Sequence, residues 1–325
     1  MINKQSKWII LMTMLMAFSC ASNKNIKTRK LASADELKLD DDYNWLESLN
    51  FDKKSEKKFV ASEDKFKEIV PEEKNAVTKE SVATIQPDLL GAELKKPQDT
   101  LSLIIFNCYK GQFDDAFQMI EKHYAEYKTN PSYWNQVGSC YYLQGEFSKA
   151  ILFYNKSRDF SANYAPALNN LGVVYEKQGR FQKALVAYKK ASELNAFSSS
   201  VNLNLARLYL KFGLSEKAKP LISSLYNRSP KDPLVLNAIA VLALQNQQYL
   251  QAVEYYKSLG QVELTKPDFG LNYTLALFYA GKVNEARQFF QKISDVSGEL
   301  KRYADEVNVV IQNSIVSDEN EKETL

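Results

Sequence analysis

The sequence has few of the residues from which metal centres and acid–base sites are built. It contains one histidine, His123, and three cysteines among 325 residues. Metal sites and acid–base pairs usually need several convergent ligands or titratable groups. Glycine-rich phosphate loops and nucleophile elbows are also missing from the sequence. We therefore expect a protein that is not an enzyme, with no metal, no other cofactor and no small-molecule substrate.

Neither basic nor acidic residues are in large excess. Lysine and arginine number 42 and aspartate and glutamate number 39, which gives a net charge of +3. Proteins that bind nucleic acids present a strongly basic face to the phosphates. The charge balance therefore gives no reason to expect a nucleic-acid partner.

The N-terminus carries an apolar stretch that is too short to span a bilayer. It runs from Trp8 to Phe18, interrupted only by Thr13, after a start that contains Lys4 and Lys7. A membrane-spanning helix needs about 20 residues. A basic start, a short apolar core and small residues at its end are typical of a secretory signal peptide. We assign residues 1–19 to this signal.

The end of the apolar core, Ala17-Phe18-Ser19-Cys20, resembles the lipobox of bacterial lipoproteins. The resemblance implies cleavage before Cys20, acylation of that cysteine and a stable hold by several acyl chains. Because Ala21 follows rather than aspartate, it further implies sorting to the outer membrane, with the protein facing the periplasm. An ordinary cleaved signal and an uncleaved anchor are the alternatives.

Residues 20–96 are rich in lysine, glutamate, aspartate and serine, and we expect a largely disordered tether. Two apolar clusters interrupt it. One runs from Tyr43 to Leu49, and the other places Phe59, Glu63, Phe66 and Val70 at helical spacing. Each cluster could be a short motif that docks on a partner, or one could pack on the folded region as an N-terminal cap.

The rest of the chain repeats itself. An alanine recurs every 34 residues, and a glycine lies five places before it in every unit except one, where Gln247 stands. A fixed period of this size is typical of a solenoid. The alanines of the series are Ala116, Ala150, Ala184, Ala218, Ala252 and Ala286.

Each unit predicts two helices, because apolar residues recur at three- and four-residue spacing on both sides of the glycine. The glycine marks the turn, where it can adopt the left-handed conformation. A small residue in the first helix, such as Gly138, and the recurring alanine lie where the two helices approach closely. Bulky partners, Tyr141 with Tyr154 and Tyr175 with Tyr188, are expected to fill the groove beside that contact. The six units span residues 97–300, as 97–130, 131–164, 165–198, 199–232, 233–266 and 267–300.

An amphipathic segment follows the sixth unit. Apolar residues between Leu300 and Ile311 recur at three and four residues, which predicts a helix over residues 301–316. A stack of repeats needs its last apolar flank covered, so we expect this helix to cap the stack. Residues 317–325 are expected to form a short disordered tail.

The units resemble tetratricopeptide repeats, whose pattern W-x2-L-G-x2-Y is matched here by Trp134, Gly138 and Tyr141. This resemblance implies an all-α fold, a right-handed α-solenoid of six helix pairs. It also implies a non-catalytic scaffold that binds proteins or peptides along a groove lined by the first helices.

The register of that family assigns groove positions to this chain. Several are amides, and they resemble the asparagine ladder that grips the backbone of an extended peptide, since an amide both donates and accepts. A merely hydrated polar face is the alternative. The expected solvent-facing groove residues are Asn135, Gln136, Ser139, Asn169, Asn170, Asn204, Arg207, Asn237 and Asn272.

Cys108 and Cys140 fall on the first helices of neighbouring units. A disulfide needs Cα atoms within about 7 Å, and packed helix axes are usually farther apart. We therefore expect two buried thiols.

Two function hypotheses follow. The first is a lipid-anchored adaptor that holds a protein or peptide partner in a cell-envelope complex. The second is a pilotin-like chaperone that escorts an outer-membrane component of a secretion, pilus or motility system. A polar ladder would favour the first, and an apolar groove at Tyr142, Phe278 and Tyr279 the second.

Overall fold

A computed structural model describes residues 99–294 and 296–313. The signal peptide, Cys20, the tether with its two apolar clusters and the tail from residue 317 lie outside the described residues. The described chain forms two compact units, residues 99–201 and residues 202–313, and the boundary falls inside one helix. We refer to them as the N-terminal unit and the C-terminal unit.

The N-terminal unit consists of helix pairs joined by tight turns. The second helix of its first repeat is interrupted at His123, which separates α2 from α3. Its helices are α1 (Thr100–Tyr109), α2 (Phe113–Lys122), α3 (Tyr124–Tyr127), α4 (Pro131–Leu143), α5 (Phe147–Phe160), α6 (Ala165–Lys177) and α7 (Phe181–Leu194), followed by the start of α8 (Ser199–Lys211).

The C-terminal unit continues the pattern, with shorter second helices in the fifth and sixth repeats. In the fifth repeat the second helix ends at Lys257 and a separate short helix follows. After α8 the helices are α9 (Ser215–Arg228), α10 (Pro233–Gln245), α11 (Tyr249–Lys257), α12 (Gln261–Leu264), α13 (Pro267–Tyr279), α14 (Val283–Phe290) and α15 (Glu299–Asn313).

The first helices begin where local chemistry favours a start. Asn130 and Asp232 accept hydrogen bonds from backbone N–H groups of the first turns of α4 and α10, and each is followed by a proline. A side-chain cap satisfies an orphan N–H, and proline is tolerated at the first helical position because its missing N–H would have no partner there. From the second repeat onward, the first helices begin at the first residue of each predicted unit, namely Pro131, Ala165, Ser199, Pro233 and Pro267.

The turn between the two helices of each repeat requires a left-handed residue. The recurring glycine adopts the left-handed conformation in five repeats, with φ between 69° and 81°. In the fifth repeat Gln247 takes the same conformation with φ of 61°, which is strained for a residue with a Cβ. The predicted role of the recurring glycine is confirmed, and the turn geometry persists where the glycine is absent.

Close approach of the paired helices explains the small residue in the first helix. A Cβ added at Gly138 would lie 2.7 Å from Tyr154 Cδ1, and one at Gly172 would lie 2.5 Å from Tyr188 Cε1. Both tyrosine rings are fully buried. The predicted packing of small against large side chains is therefore confirmed in the N-terminal unit.

The last helix, α15, packs against α13 and α14 of the sixth repeat. It buries Tyr303, Val307 and Ile311 in the core of the C-terminal unit. The fold prediction is confirmed: the described chain is all-α, and consecutive helix pairs pack as tetratricopeptide repeats do. Across the residues that the structure describes, no helix combines the length and apolarity that a bilayer crossing requires.

Candidate functional site

The amides of the predicted ladder form hydrogen bonds to one another between neighbouring repeats. In the N-terminal unit, Asn170 Nδ2 donates to Asn135 Oδ1 at 3.0 Å, across a separation of 35 residues. Asn169 Nδ2 donates to Asn170 Oδ1 at 3.2 Å. The first of these bonds joins the first helices α4 and α6, and the second lies within α6.

The C-terminal unit repeats this arrangement and adds tyrosines to it. Asn237 Oδ1 accepts from Asn272 Nδ2 at 3.3 Å and from the Tyr256 hydroxyl at 2.7 Å. The hydroxyl of Tyr303 on α15 then donates to Asn272 Oδ1 at 2.6 Å. A polar chain thus runs from the fifth repeat through the sixth to the capping helix, and a hydrogen-bond network of this kind fixes the alignment of its members.

The expectation that the groove residues face solvent is wrong for most of them. Arg207 and Asn237 are half-buried, and the remainder are buried. Packing between helices removes these side chains from water, as where Asn170 on α6 bonds to Asn135 on α4. The buried members are Asn135, Gln136, Ser139, Asn169, Asn170, Asn204 and Asn272.

Ser139 illustrates this internal use of a predicted groove position. Its hydroxyl donates to the Asn135 carbonyl at 3.0 Å and lies 3.2 Å from the Tyr154 hydroxyl. Burial raises the pKa of Tyr154 well above the usual value for a phenol, and the contact with Ser139 opposes that shift in part. The group is therefore neutral at physiological pH and acts as a hydrogen-bonding core residue.

The prediction of two free thiols is wrong, because Cys108 and Cys140 form a disulfide between α1 and α4 with a Cα–Cα distance of 5.2 Å. The prediction treated the distance between helix axes as the distance between Cα atoms. Cα atoms lie about 2.3 Å from their axis, so facing residues come nearly 5 Å closer than the axes do. Helices packed at 8 to 10 Å can therefore be bridged.

Aromatic side chains lie at the C-terminal ends of the first helices in the second and sixth repeats. In the sixth repeat, Phe278 and Tyr279 are half-buried, and the Tyr279 ring stacks on that of Tyr249 with centroids 5.3 Å apart. Burial, with a smaller contribution from Tyr249, raises the pKa of Tyr279 to about 12. In the second repeat, Tyr142 is half-buried beside Phe147. These partly exposed rings are the predicted apolar positions.

The single histidine is a surface residue. His123 Nδ1 lies 3.2 Å from Glu126 Oε2 on the adjoining turn. Within residues 99–294 and 296–313, histidine, cysteine and carboxylate side chains form no group of three or more that could hold a metal ion.

Models of known protein families match parts of the repeat region. Models of the tetratricopeptide repeat match residues 138–179, 165–196 and 203–261. The chain contains tetratricopeptide repeats. The matches fall within the second to fifth repeats. Among curated proteins, none matches the chain in sequence.

Solved structures give the same fold at low sequence identity. PilF of Pseudomonas aeruginosa is 19% identical with a TM-score of 0.52, over 64% of this chain and 96% of PilF. PilW, described as a type IV pilus biogenesis factor, is 17% identical with a TM-score of 0.52, over 62% of this chain and 96% of PilW. Cut9 in its complex with Hcn1 is 16% identical with a TM-score of 0.51, over 67% of this chain and 47% of that chain.

Proposed function

We propose that this protein is an exported, lipid-anchored tetratricopeptide scaffold that holds a protein or peptide partner in a cell-envelope complex. It is tethered by acylated Cys20 to the outer membrane and faces the periplasm. The repeats are the binding module, and the chain performs no catalysis. Tetratricopeptide repeats serve generally as protein-interaction modules, and the fold supports that part of the proposal.

The disulfide between Cys108 and Cys140 is the observation that carries the proposed location. Both cysteines are buried, with 2% and 0% of their surface exposed, so the bridge belongs to the folded core. Stable structural disulfides form in oxidising compartments such as the periplasm and are rare in the cytosol. The bridge and the N-terminal signal are independent features that favour the same compartment.

The predicted groove residues divide into two roles under this proposal. The buried amides hold neighbouring first helices in register, and Asn170, Asn272 and their partners therefore shape the binding face from within. Arg207, which is half-buried, is the charged member of the predicted groove residues. A guanidinium favours a carboxylate or a backbone carbonyl, which suits an extended peptide or its C-terminus.

The second candidate is escort of an apolar segment, as a pilotin-like chaperone would perform. It is favoured by the half-buried rings of Phe278 and Tyr279 together with the internal hydrogen bonding of the amides. Aromatic surface that is partly open to water is a common anchor for apolar partners.

The anchor is tested by changing Cys20→Ser in cells and following acyl labelling and membrane fractionation. We expect the variant to lose the label and leave the membrane fraction, whereas Ser22→Ala behaves as the wild type. Retention of Cys20→Ser in the membrane would favour an uncleaved anchor. Fully reduced Cys108 and Cys140 in protein freshly trapped from cells would contradict the exported location.

The partner is tested by in-cell crosslinking with two matched pairs of variants. Arg207→Ala is compared with Arg302→Ala, whose side chain is 88% exposed, and Phe278→Ser with Phe197→Ser, whose side chain is 73% exposed. Loss of a defined envelope partner with Arg207→Ala alone supports the scaffold. Loss with Phe278→Ser alone supports the chaperone. Capture that none of the four changes alters would contradict both uses of the first helices.

A further inference from the structure

A helix face of the first repeat is only half-buried, whereas the equivalent face is buried in the third and sixth repeats. Leu103 and Phe106 on α1 are half-buried. The equivalent residues of the third repeat, Leu171 and Val174, are 2% and 0% exposed. In the sixth repeat, the equivalent residues are likewise buried, as Tyr273 and Ala276.

A cavity of about 500 Å³ lies at this face, between α1 and α2. Leu103, Phe106 and Met119 supply apolar surface, and Asp115 and Lys122 also line it. Asn107 is buried in its wall, and its Nδ2 atom lies 3.6 Å from Met119 Sδ. The cavity has the size of a ligand pocket.

In other repeats this face is covered by a helix that comes earlier in the chain. The second helix of one repeat packs on the first helix of the next, as α5 does on α6 and α11 on α13. At the C-terminal end the chain supplies α15 for the opposite flank. An apolar stripe along a helix is stable in water only when another element covers it. We therefore expect a helix to cover the open face of α1.

Residues 56–70, a part of the chain that lies outside the described residues, have the sequence of such a helix. Phe59 and Phe66 are seven residues apart, Ile69 and Val70 extend the same side, and Pro71 marks a natural end. The segment directly before α1 is less suited, because Pro87 interrupts it. The stretch from Pro71 to Gln98 can reach on the order of 90 Å when extended.

We propose that residues 56–70 dock as an amphipathic helix on the α1–α2 face and cap the first repeat. Attachment to the same chain gives the segment an effective concentration on the order of millimolar, which favours it over a free partner helix. The segment then serves as the missing second helix before the first repeat. This proposal does not depend on the proposed partner or membrane anchor.

Photocrosslinking in the full chain tests the contact. p-Benzoylphenylalanine replaces Phe66, with a matched replacement of Phe51, which lies in the same region but outside the segment. We expect Phe66 to yield an intramolecular crosslink to peptides that contain Phe106 or Met119, at least about tenfold above the Phe51 control. Crosslinks to other repeats or to a second molecule would overturn the proposal.

A double-mutant cycle read by hydrogen exchange provides the second test. Leu103→Ala and Phe66→Ala should each speed exchange of α1 amides about tenfold, and the double variant should match either single change within about twofold. Leu103→Ala with Phe51→Ala should show only the effect of Leu103→Ala. Unchanged exchange in Phe66→Ala, or additive effects of Leu103→Ala and Phe66→Ala, would refute docking by this segment.

Discussion

The N-terminal and C-terminal units share one repeat register, but the contacts that stabilise the inside of each unit differ. In the N-terminal unit a disulfide links the first helices α1 and α4, and glycines allow the tyrosines Tyr154 and Tyr188 to pack closely. The C-terminal unit uses a closing helix and a chain of hydrogen bonds from Tyr256 to Tyr303. The repeat pattern therefore determines which helix surfaces pack together, while either covalent or noncovalent contacts can stabilise each interface.

The largest expected effect lies at the closed C-terminal end. Tyr303→Ala removes a side chain that is 1% exposed and leaves Asn272 Oδ1 without its 2.6 Å bond. We expect a loss of about 3 to 5 kcal/mol in the free energy of unfolding, as for other large-to-alanine changes in cores. Denaturation followed by circular dichroism measures this loss, and hydrogen exchange of α13 and α15 locates it.

Tyr303→Phe is the control, because it keeps the ring and removes only the hydroxyl. It should cost about 1 to 2 kcal/mol. Equal losses in the two variants would mean that the hydrogen bond, rather than burial of the ring, secures the cap.

Removal of the disulfide should have the next largest effect, confined to the N-terminal unit. The bridge closes a loop with a sequence separation of 32, for which chain entropy predicts about 3 to 4 kcal/mol. A variant with Cys108→Ala and Cys140→Ala should show faster hydrogen exchange in α1 and α2. Reductant should destabilise the wild type and leave this variant unchanged. Equal protection of α1 in both proteins would contradict a stabilising bridge.

Changes to the small residue of the first helix should alter the free energy of unfolding less than removal of the disulfide does. Gly172→Ala places a methyl 2.5 Å from the Tyr188 ring, so overpacking should outweigh the gain in helix propensity, with a net loss of about 1 to 2 kcal/mol. In the C-terminal unit, Ala240 already occupies the equivalent position beside Tyr256, and Ala240→Gly should cost only about 1 kcal/mol. Urea denaturation measures both. Stabilisation by Gly172→Ala would show that the helices of the third repeat can separate freely.

The smallest expected effect is a gain at the left-handed turn of the fifth repeat. Gln247 has φ of 61°, and Gln247→Gly should relieve the Cβ strain and stabilise the chain by about 0.5 to 1 kcal/mol. Thermal unfolding detects the change as a small rise in Tm. Gly213→Ala, at the equivalent turn where φ is 69°, should shift Tm the other way. A lower Tm for Gln247→Gly would indicate that the glutamine side chain makes a stabilising contact.

Much of the fold could be predicted because the same residue pattern occurs in six consecutive units. The starts of the first helices, the left-handed turns and the close approach of the paired helices at Gly172 all follow from the 34-residue register and from steric rules that act within one repeat. The candidate site was less predictable. Burial of Asn135 and Asn170 depends on how closely neighbouring first helices pack, which the register leaves open, and the binding role of these positions stays a prediction.

The sequence by itself determined the period, the helix pairs and the residues that meet inside each repeat, because those contacts are local and their spacing is fixed by helix geometry. Only the tertiary structure decided that Cys108 and Cys140 pair, that the amides bond between repeats, and that the face of α1 is left partly open. Each of these depends on the distance and rotation between two packed helices. A few ångströms there decide between a bridge and two thiols, or between a groove and a core, and no residue pattern within one repeat fixes them.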